Sequence, residues 1–332
     1  MVTLKEIADA SGASRGSVDR VIHNRGRVSA STEKAIRDAI ETLGYKPNKA
    51  GRILAAQKKP RTIGIVMPSS SNRFFIDVEK GMKSANKEAS GAIELLMERV
   101  SGFSADENLK AIDSLVRKGI DGLIVTVPDI IEINSKLESL EIPFATLNSS
   151  LSSPKAMYYV GPDYYKKGEV NAGLLSLVMK EKANVLILTG SNEMKGHRDV
   201  VDGFIAALEK RGIEFSVADE IYTEDSDEKA ELLLSAALQK DSSINAVFIS
   251  TGGVKGALKA IGDRDLLVFS SDDIEDVKEG IKSGRIAWTI SQEPFRQGYE
   301  SVMKMQDYFI ENKMPKSLFI NQIVKIKENI EV

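Results

Sequence analysis

Residues 14–28 read SRGSVDRVIHNRGRV. Four arginines share this stretch with Val18, Val21 and Ile22, three apolar residues at helical spacing. A helix here turns those three inward and leaves Arg15, Gly16, Asp19, Arg20 and His23 on one outward stripe. An arginine fork matches guanine O6 and N7, with roughly 1–3 kcal/mol of discrimination per bidentate contact, so the stripe suits a major groove. The flanks supply two more short helices. Before it, Thr3 and Glu6 form a capping box ahead of Leu4, Ile7 and Ala8, and Gly12 permits a tight turn into Ser14, a natural N-cap. After it, Ser31 precedes the periodic set Ala35, Ile36, Ala39, Ile40 and Leu43, closed by Gly44. Three helices, the second with a readable face, predict an all-α helix-turn-helix headpiece over residues 1–46.

The charge distribution agrees. The 332-residue chain has a net charge of −3, but residues 1–61 hold 13 Lys and Arg against 6 Asp and Glu, about +7, while the rest hold 32 against 42, about −10. A basic module on an acidic body is the electrostatic footprint of a polyanion binder. With no cysteine there is no disulfide framework, thiolate metal site or cysteine nucleophile, which suits a reducing compartment. No apolar run reaches bilayer length, and MVTLKEIADA has no basic segment leading into an apolar one, so a cytoplasmic protein without a membrane partner is expected.

Residues 47–61 form a separate link. Pro47 ends the headpiece, NKAGRILAA can make about two helical turns, and Pro60 closes the segment. Gly51 costs so short a helix about 1 kcal/mol, so it is expected to fold only against a partner. Leu54 then reads as an apolar wedge for a minor-groove step, with dimer packing as the alternative.

From residue 62 the pattern becomes α/β. IGIVMP, IELLMERV, GLIVTV, PFATLN, MYYVG, NVLILTG, INAVFIST, LLVFSSD and IAWTISQ read as strands, many apolar on both faces, with amphipathic helices between them. So many parallel strands over residues 62–332 predict two doubly wound sheets rather than one very wide one. Ligands of such sheets bind beyond the carboxyl ends of the strands, where strand order reverses. Those ends place Ser69 to Phe75, Asn148, Ser149, Ser191 to Arg198 (with His197), Thr251, Asp272 and Gln292 around one cleft. Aromatics beside amides and carboxylates suit a hydroxylated ligand. Each has a plainer reading: one of Phe74 and Phe75 as core, Asn72 and Asn148 as turn caps, Asp272 as a helix cap. Trp288 reads as core.

The stretch VTLKEIADASGASRGSVDRVIHNRGRVSASTEKAIRDAIETLGYKPNKAGRILA resembles the headpiece and hinge of the lactose-repressor family of bacterial transcription regulators. Residues 62–332 are similar to its effector domain and to type I periplasmic sugar-binding proteins, through NRFFIDVEKGM, RKGIDGLIV, VDGFIAALEKRGI and GRIAWTISQEPFRQG. The resemblance implies subdomains of about 62–163 plus 292–321 and 164–291 plus 322–332. It implies base reading by Arg15, Gly16 and Arg20 with His23 at the helix end, phosphate contacts from Thr3, Ser14, Ser17, Asn24 and Ser29, and a hinge acting through Asn48, Leu54 and Ala55. It points to Asn72, Phe74, Phe75, Asn148, Asp272 and Gln292 for the effector. It further implies a homodimer on near-palindromic double-stranded operator DNA, and the strand-like ending LFINQIVKIKENIEV favours a dimer over a tetramer. Three positions depart from the family pattern: Val200 stands where an arginine is usual, Thr251-Gly252 where Asn-Asp is usual, and Asn148 where an aspartate is usual.

The expected function is sequence-specific transcription regulation, with repression as the outcome, controlled by a small effector that is a sugar, a polyol or a derivative of one, and needing no cofactor. An enzyme on a sugar or nucleotide substrate and a transport-type solute binder are the competing classes. SNEMKGH and STGGVKGA lack phosphate-loop spacing, and His23 and His197 are the only histidines, which supports neither a body-wide catalytic triad nor a histidine metal site.

Overall fold

The computed structural model describes residues 2–22, 26–45, 57–69 and 73–331. The chain divides into two compact units, Met1–Ala55 and Ala56–Val332. In the first, α1 (Leu4–Ser11), α2 (Arg15–Ile22) and α3 (Ala30–Thr42) surround a small core of Ile7, Ala8, Val18, Val21, Ile36 and Ala39. The capping box forms as read: Thr3 N donates to Glu6 Oε2 at 2.7 Å, and Glu6 N donates to Thr3 Oγ1 at 3.3 Å. Ser14 Oγ accepts from Ser17 N at 3.1 Å and Ser29 Oγ from Thr32 N at 3.2 Å, so short hydroxyl residues cap all three helices. Gly12, at φ 65°, supplies the left-handed turn between the first two.

The second unit holds two six-stranded sheets. The chain runs through β1 (Arg61–Pro68), α4 (Phe74–Glu88), β2 (Ile93–Val100), α5 (Ala105–Arg117), β3 (Gly122–Val125), α6 (Ile131–Glu138), β4 (Phe144–Leu147) and β5 (Tyr159–Gly161). It then crosses to α7 (Tyr164–Val178), β6 (Ala183–Thr189), α8 (Lys195–Lys210), β7 (Phe215–Tyr222), α9 (Asp227–Lys240) and β8 (Ala246–Ile249). It continues through α10 (Val254–Ile261), β9 (Leu267–Ser271), α11 (Glu275–Lys282) and β10 (Trp288–Ser291). From there it returns through α12 (Pro294–Glu311) to β11 (Leu318–Phe319), and crosses once more to β12 (Ile323–Lys325). The strand orders are β11-β5-β4-β3-β1-β2 and β12-β10-β9-β8-β6-β7. All pairs are parallel except β10 with β12. Both sheets reverse direction of growth at their first strand, β1 or β6, the topology that opens a crevice at the carboxyl edge.

Each sheet buries both faces, which is why its strands read as apolar runs. In β6, Val185 and Ile187 enter one core while Leu186 and Leu188 enter the other. In β3, Ile124 and its neighbours Leu123 and Val125 divide the same way. Trp288 is core as expected: its ring stacks on Phe269 at 4.7 Å and Nε1 donates to Asn171 Oδ1 at 3.0 Å. Strand β7, an edge strand like β2, escapes a reading by apolar runs because Asp219 and Glu220 interrupt its apolar residues. Behind the carboxyl edge, each lobe brings two helices into backbone contact through glycine. A Cβ on Gly298 would lie 1.9 Å from Val78 O, and one on Gly203 would lie 2.0 Å from Tyr165 O, so α12 sits directly on α4 and α8 on α7.

Candidate effector cleft and nucleic-acid interface

In the headpiece, α2 turns Val18 and Val21 inward and leaves Arg15, Gly16 and Arg20 exposed on its other side. A Cβ on Gly16 would meet only Ser14 Oγ, at 3.8 Å, so packing does not demand glycine there. Thr3, Ser14 and Ser29 are exposed at the amino ends of α1, α2 and α3, where orphan N–H groups and the helix dipole favour phosphate; Ser17 is half-buried beside Ser14. His23, Asn24, Asn48, Leu54 and Ala55 lie outside the described residues, as does Asn72 of the effector set.

In the body, the carboxyl edges of both sheets face one cleft, whose free space in this closed arrangement is about 30 Å3, well short of the roughly 300–1,000 Å3 of small-molecule sites. Phe74, Phe75, Asn148, His197, Thr251, Asp272 and Gln292 all line it. Both phenylalanines, rather than one, belong to the core as well, packed edge to face at 5.3 Å. Asn148 is the junction of several bonds: Tyr164 Oη donates to its Oδ1 at 3.0 Å, its Nδ2 donates to Gln297 Oε1 at 3.2 Å, and Tyr159 Oη donates to its carbonyl at 2.6 Å. His197 Nδ1 accepts from Ser191 N at 3.0 Å, which fixes the neutral tautomer, and burial holds its pKa below the ordinary histidine value. Its ring meets Phe103 edge to face at 5.9 Å.

Backbone strain gathers at the same edge. Asn148, Asp225, Asp272 and Glu293, at the ends of β4, β7, β9 and β10, all have φ between 49° and 69°. Left-handed backbone in non-glycine residues costs energy, least for Asn and Asp, and gathers at ligand sites. Here it aims four polar residues at the strand ends.

Ser149 and Arg198 do not line the cleft; they fasten its rims. Ser149 Oγ accepts from Gly196 N at 3.0 Å, and Arg198 Nη2 donates to Asp129 Oδ2 at 2.8 Å. Asp129 N donates to Glu193 O at 2.7 Å, and Arg73 pairs with Asp276 at 2.9 Å. All four contacts bridge the lobes, so the cleft is closed. Asp129, its side chain 3% exposed, also accepts from Asn134 and Ser152; burial pushes its carboxyl up, but the bonds together hold its pKa below the usual carboxylate range.

Two polar groups that the family pattern places elsewhere arrive from neighbouring elements. Val200 is indeed apolar core, and the buried cation of the cleft is Lys167 on α7, whose neighbour Gly168 would place a Cβ 2.1 Å from Val200 O. Beside Thr251-Gly252 the carboxylate comes from Asp225: its Oδ1 accepts from Gly252 N at 2.9 Å and from Thr251 Oγ1. Lys167 was hidden in a Lys-Lys pair that reads as solvated surface, yet it stands four residues before Asn171 on the inner stripe of α7 with Ala172 and Leu175. Asp272 Oδ1 accepts from Gln292 Nε2 and lies 3.9 Å from Lys167 Nζ; burial pushes the Asp272 pKa up to about 6 against the pull of that lysine.

Comparison with known proteins is consistent along the chain. Residues 3–48 match the family described as bacterial regulatory proteins, lacI family, and residues 63–313 match the periplasmic binding protein domain. Catabolite control protein A of Priestia megaterium is 28% identical over 273 residues, covering 80% of this chain and 79% of that one. The HTH-type transcriptional regulator MalR of Streptococcus pneumoniae is 35% identical over 158 residues, 46% of this chain and 47% of the relative. Among solved structures, GanP, a glucose-galactose binding protein from Geobacillus stearothermophilus, superposes with a TM-score of 0.75 at 23% identity, over 82% of this chain and 100% of that one, a likeness of fold. The two sheets, their shared cleft and the capped three-helix unit ahead of them agree with these matches: the chain belongs to the periplasmic-binding-protein domain family and carries, before that domain, the DNA-binding domain of lacI-family bacterial regulators.

Proposed function

We propose that the protein is a sequence-specific transcription regulator whose affinity for operator DNA is set by a small sugar-like or polyol effector. One observation carries the reading: a single chain joins an exposed Arg15, Gly16 and Arg20 face to a closed cleft of aromatic, amide and carboxylate groups at the carboxyl edges of two sheets. On this reading Arg15 and Arg20 contact base edges, Gly16 admits close approach of the helix, and Thr3, Ser14, Ser17 and Ser29 hold phosphates without reading sequence. Two copies present two headpieces to a near-palindrome, and the segments bearing Asn48, Leu54 and Ala55 carry the signal between body and DNA. Effector enters as the lobes part and then draws them together around itself, because only then do both lobes contact it at once, and the operator equilibrium shifts by that differential affinity. Coupling of about 1–3 kcal/mol changes operator affinity roughly 5- to 150-fold. Repression is the proposed outcome, in the cytoplasm, and the body binds its ligand without catalysis. GanP is a glucose-galactose binding protein, which supports hydroxylated ligands for a cleft of this fold.

The test is selection of tight-binding duplexes from a random pool by the full chain, followed by affinity measurements across salt. The expected result is a two-half-site sequence bound at least roughly 1,000-fold tighter than random DNA. Equal affinity for every duplex, with only a salt-dependent slope, would refute the reading.

A further inference from the structure

Two buried polar atoms of the cleft have no hydrogen-bond partner: Lys167 Nζ and Gln292 Oε1. Lys167 is 0% and Gln292 2% exposed. The first atom only donates and the second only accepts. They flank one carboxylate, since Gln292 Nε2 donates to Asp272 Oδ1 while Lys167 Nζ stands 3.9 Å from that same oxygen, beyond hydrogen-bond length. Nζ also lies over the Tyr164 ring, 5.1 Å from its centroid. A desolvated ammonium with its counter-ion just out of reach has given up hydrogen bonds to water without replacing them. A buried donor and a buried acceptor left open against one carboxylate call for a partner that both accepts and donates.

The geometry points to Lys167 and Gln292 as a pair that reads one hydroxyl of an uncharged sugar or polyol, its oxygen accepting from the Lys167 ammonium and its proton going to Gln292 Oε1. The proposal rests on the regulator reading and deepens it by naming the effector's charge class. A hydroxyl both accepts and donates, whereas an ionised carboxylate or phosphate oxygen only accepts and would leave Gln292 Oε1 orphaned. Charge points the same way. Asp225 and Asp272 put two carboxylates, and Lys167 one ammonium, on the lining of the cleft; His197 adds no positive charge in the tautomer its bond to Ser191 requires, and an anionic effector would bring a third negative group. Lys167 is therefore a specificity residue that favours neutral polyhydroxy compounds over their acid and phosphate derivatives.

Calorimetric titration of the full chain tests this with D-glucose, D-galactose, D-ribose and myo-inositol, set against D-gluconate, D-galacturonate and D-galactose 6-phosphate. At least one neutral compound is expected to bind, and its charged counterpart to bind at least about tenfold more weakly. Lys167→Met should weaken the neutral compound about 10- to 100-fold. Because that variant strands Asp272, Asp272→Asn is compared with Lys167→Met/Asp272→Asn, which removes both buried charges together. A side chain that touches the ligand costs a further drop of about tenfold between those two. No further drop shows that Lys167 merely positions Asp272 and overturns the proposal, as does tighter binding of an acid or phosphate than of its neutral parent. Equal binding of a neutral compound to wild type and Lys167→Met removes the lysine and leaves the regulator reading intact. Binding by none of the neutral compounds removes the effector reading and this proposal with it.

Discussion

Arg198→Ala should loosen the closed cleft without touching its lining. The Arg198 guanidinium bridges the lobes through its 2.8 Å bond to Asp129 and also donates to Asn192 O at 2.6 Å. A hydrogen bond to a charged group contributes about 1.5–3 kcal/mol. With the Arg198 side chain 33% exposed and three other donors remaining on Asp129, solvent screening brings this to about 1–2 kcal/mol. That energy belongs to the closed arrangement, so its loss should raise the open population roughly 5- to 30-fold. Two amides report the opening directly: Asp129 N–H, bonded to Glu193 O at 2.7 Å, and Gly196 N–H, bonded to Ser149 Oγ at 3.0 Å, each across the cleft. Hydrogen exchange resolved to these peptides, under conditions where closing outruns exchange, should show both accelerating by that factor. Amides inside β3 and β6 should keep their protection. Unchanged exchange at Asp129 and Gly196, or equal acceleration throughout the body, would refute the claim that this ion pair holds the lobes together.

Other consequences follow from the packing and electrostatics. Asp272 has its pKa raised from 3.8 to about 6, so between about pH 4 and 6 the native state binds more protons than the unfolded one. Its contribution to stability therefore falls as pH rises through that window, by about 2–3 kcal/mol in all. Urea midpoints of wild type relative to Asp272→Asn should decline from pH 4 to 6, and a flat difference would contradict the burial of this carboxylate. Gly203→Ala drives a methyl to 2.0 Å from Tyr165 O and should cost about 3 kcal/mol in urea unfolding; an unchanged midpoint would show that α7 and α8 are not in backbone contact. Gly16→Ala meets nothing closer than 3.8 Å and should leave the headpiece equally or more stable, by up to about 1 kcal/mol, yet alter operator preference. Arg20→Ala should cost about 1–3 kcal/mol at one base position of each half-site, and a loss shared equally by random DNA would make Arg20 a phosphate contact.

Much of the fold was open to reading because its physics is local. Period-3.6 stripes and short hydroxyl caps at Thr3, Ser14 and Ser29 carry the headpiece, and two-faced apolar runs such as GLIV and AVFI carry the sheet interiors. Edge strand β7 went unread because its half-exposed residues alternate irregularly and break at a register shift beside Val185. The cleft followed from strand ends alone, since topology places carboxyl-terminal residues together whatever their identity. What strand ends could not convey is which polar groups face the ligand and which face the protein. Ser149 and Arg198 stand at the right edge but bond across it, a distinction that depends on lobe closure. Lys167 and Asp225 were disguised by composition, one in a lysine pair and the other in the acidic run EDSD. Only packing against α8 and Thr251 reveals that both turn inward. The periodicity of α7 did contain the first signal, since Lys167 and Asn171 share its inner face.

A headpiece and a cleft that share one equilibrium must influence each other equally, which reciprocal titration measures. Operator affinity of the full chain is measured with and without a saturating neutral sugar that binds the body, and the affinity for that sugar is measured with and without operator. The two ratios should be equal and lie between about 5 and 150. A sugar that binds tightly while operator affinity stays the same would show a headpiece and a cleft that share a chain but no equilibrium.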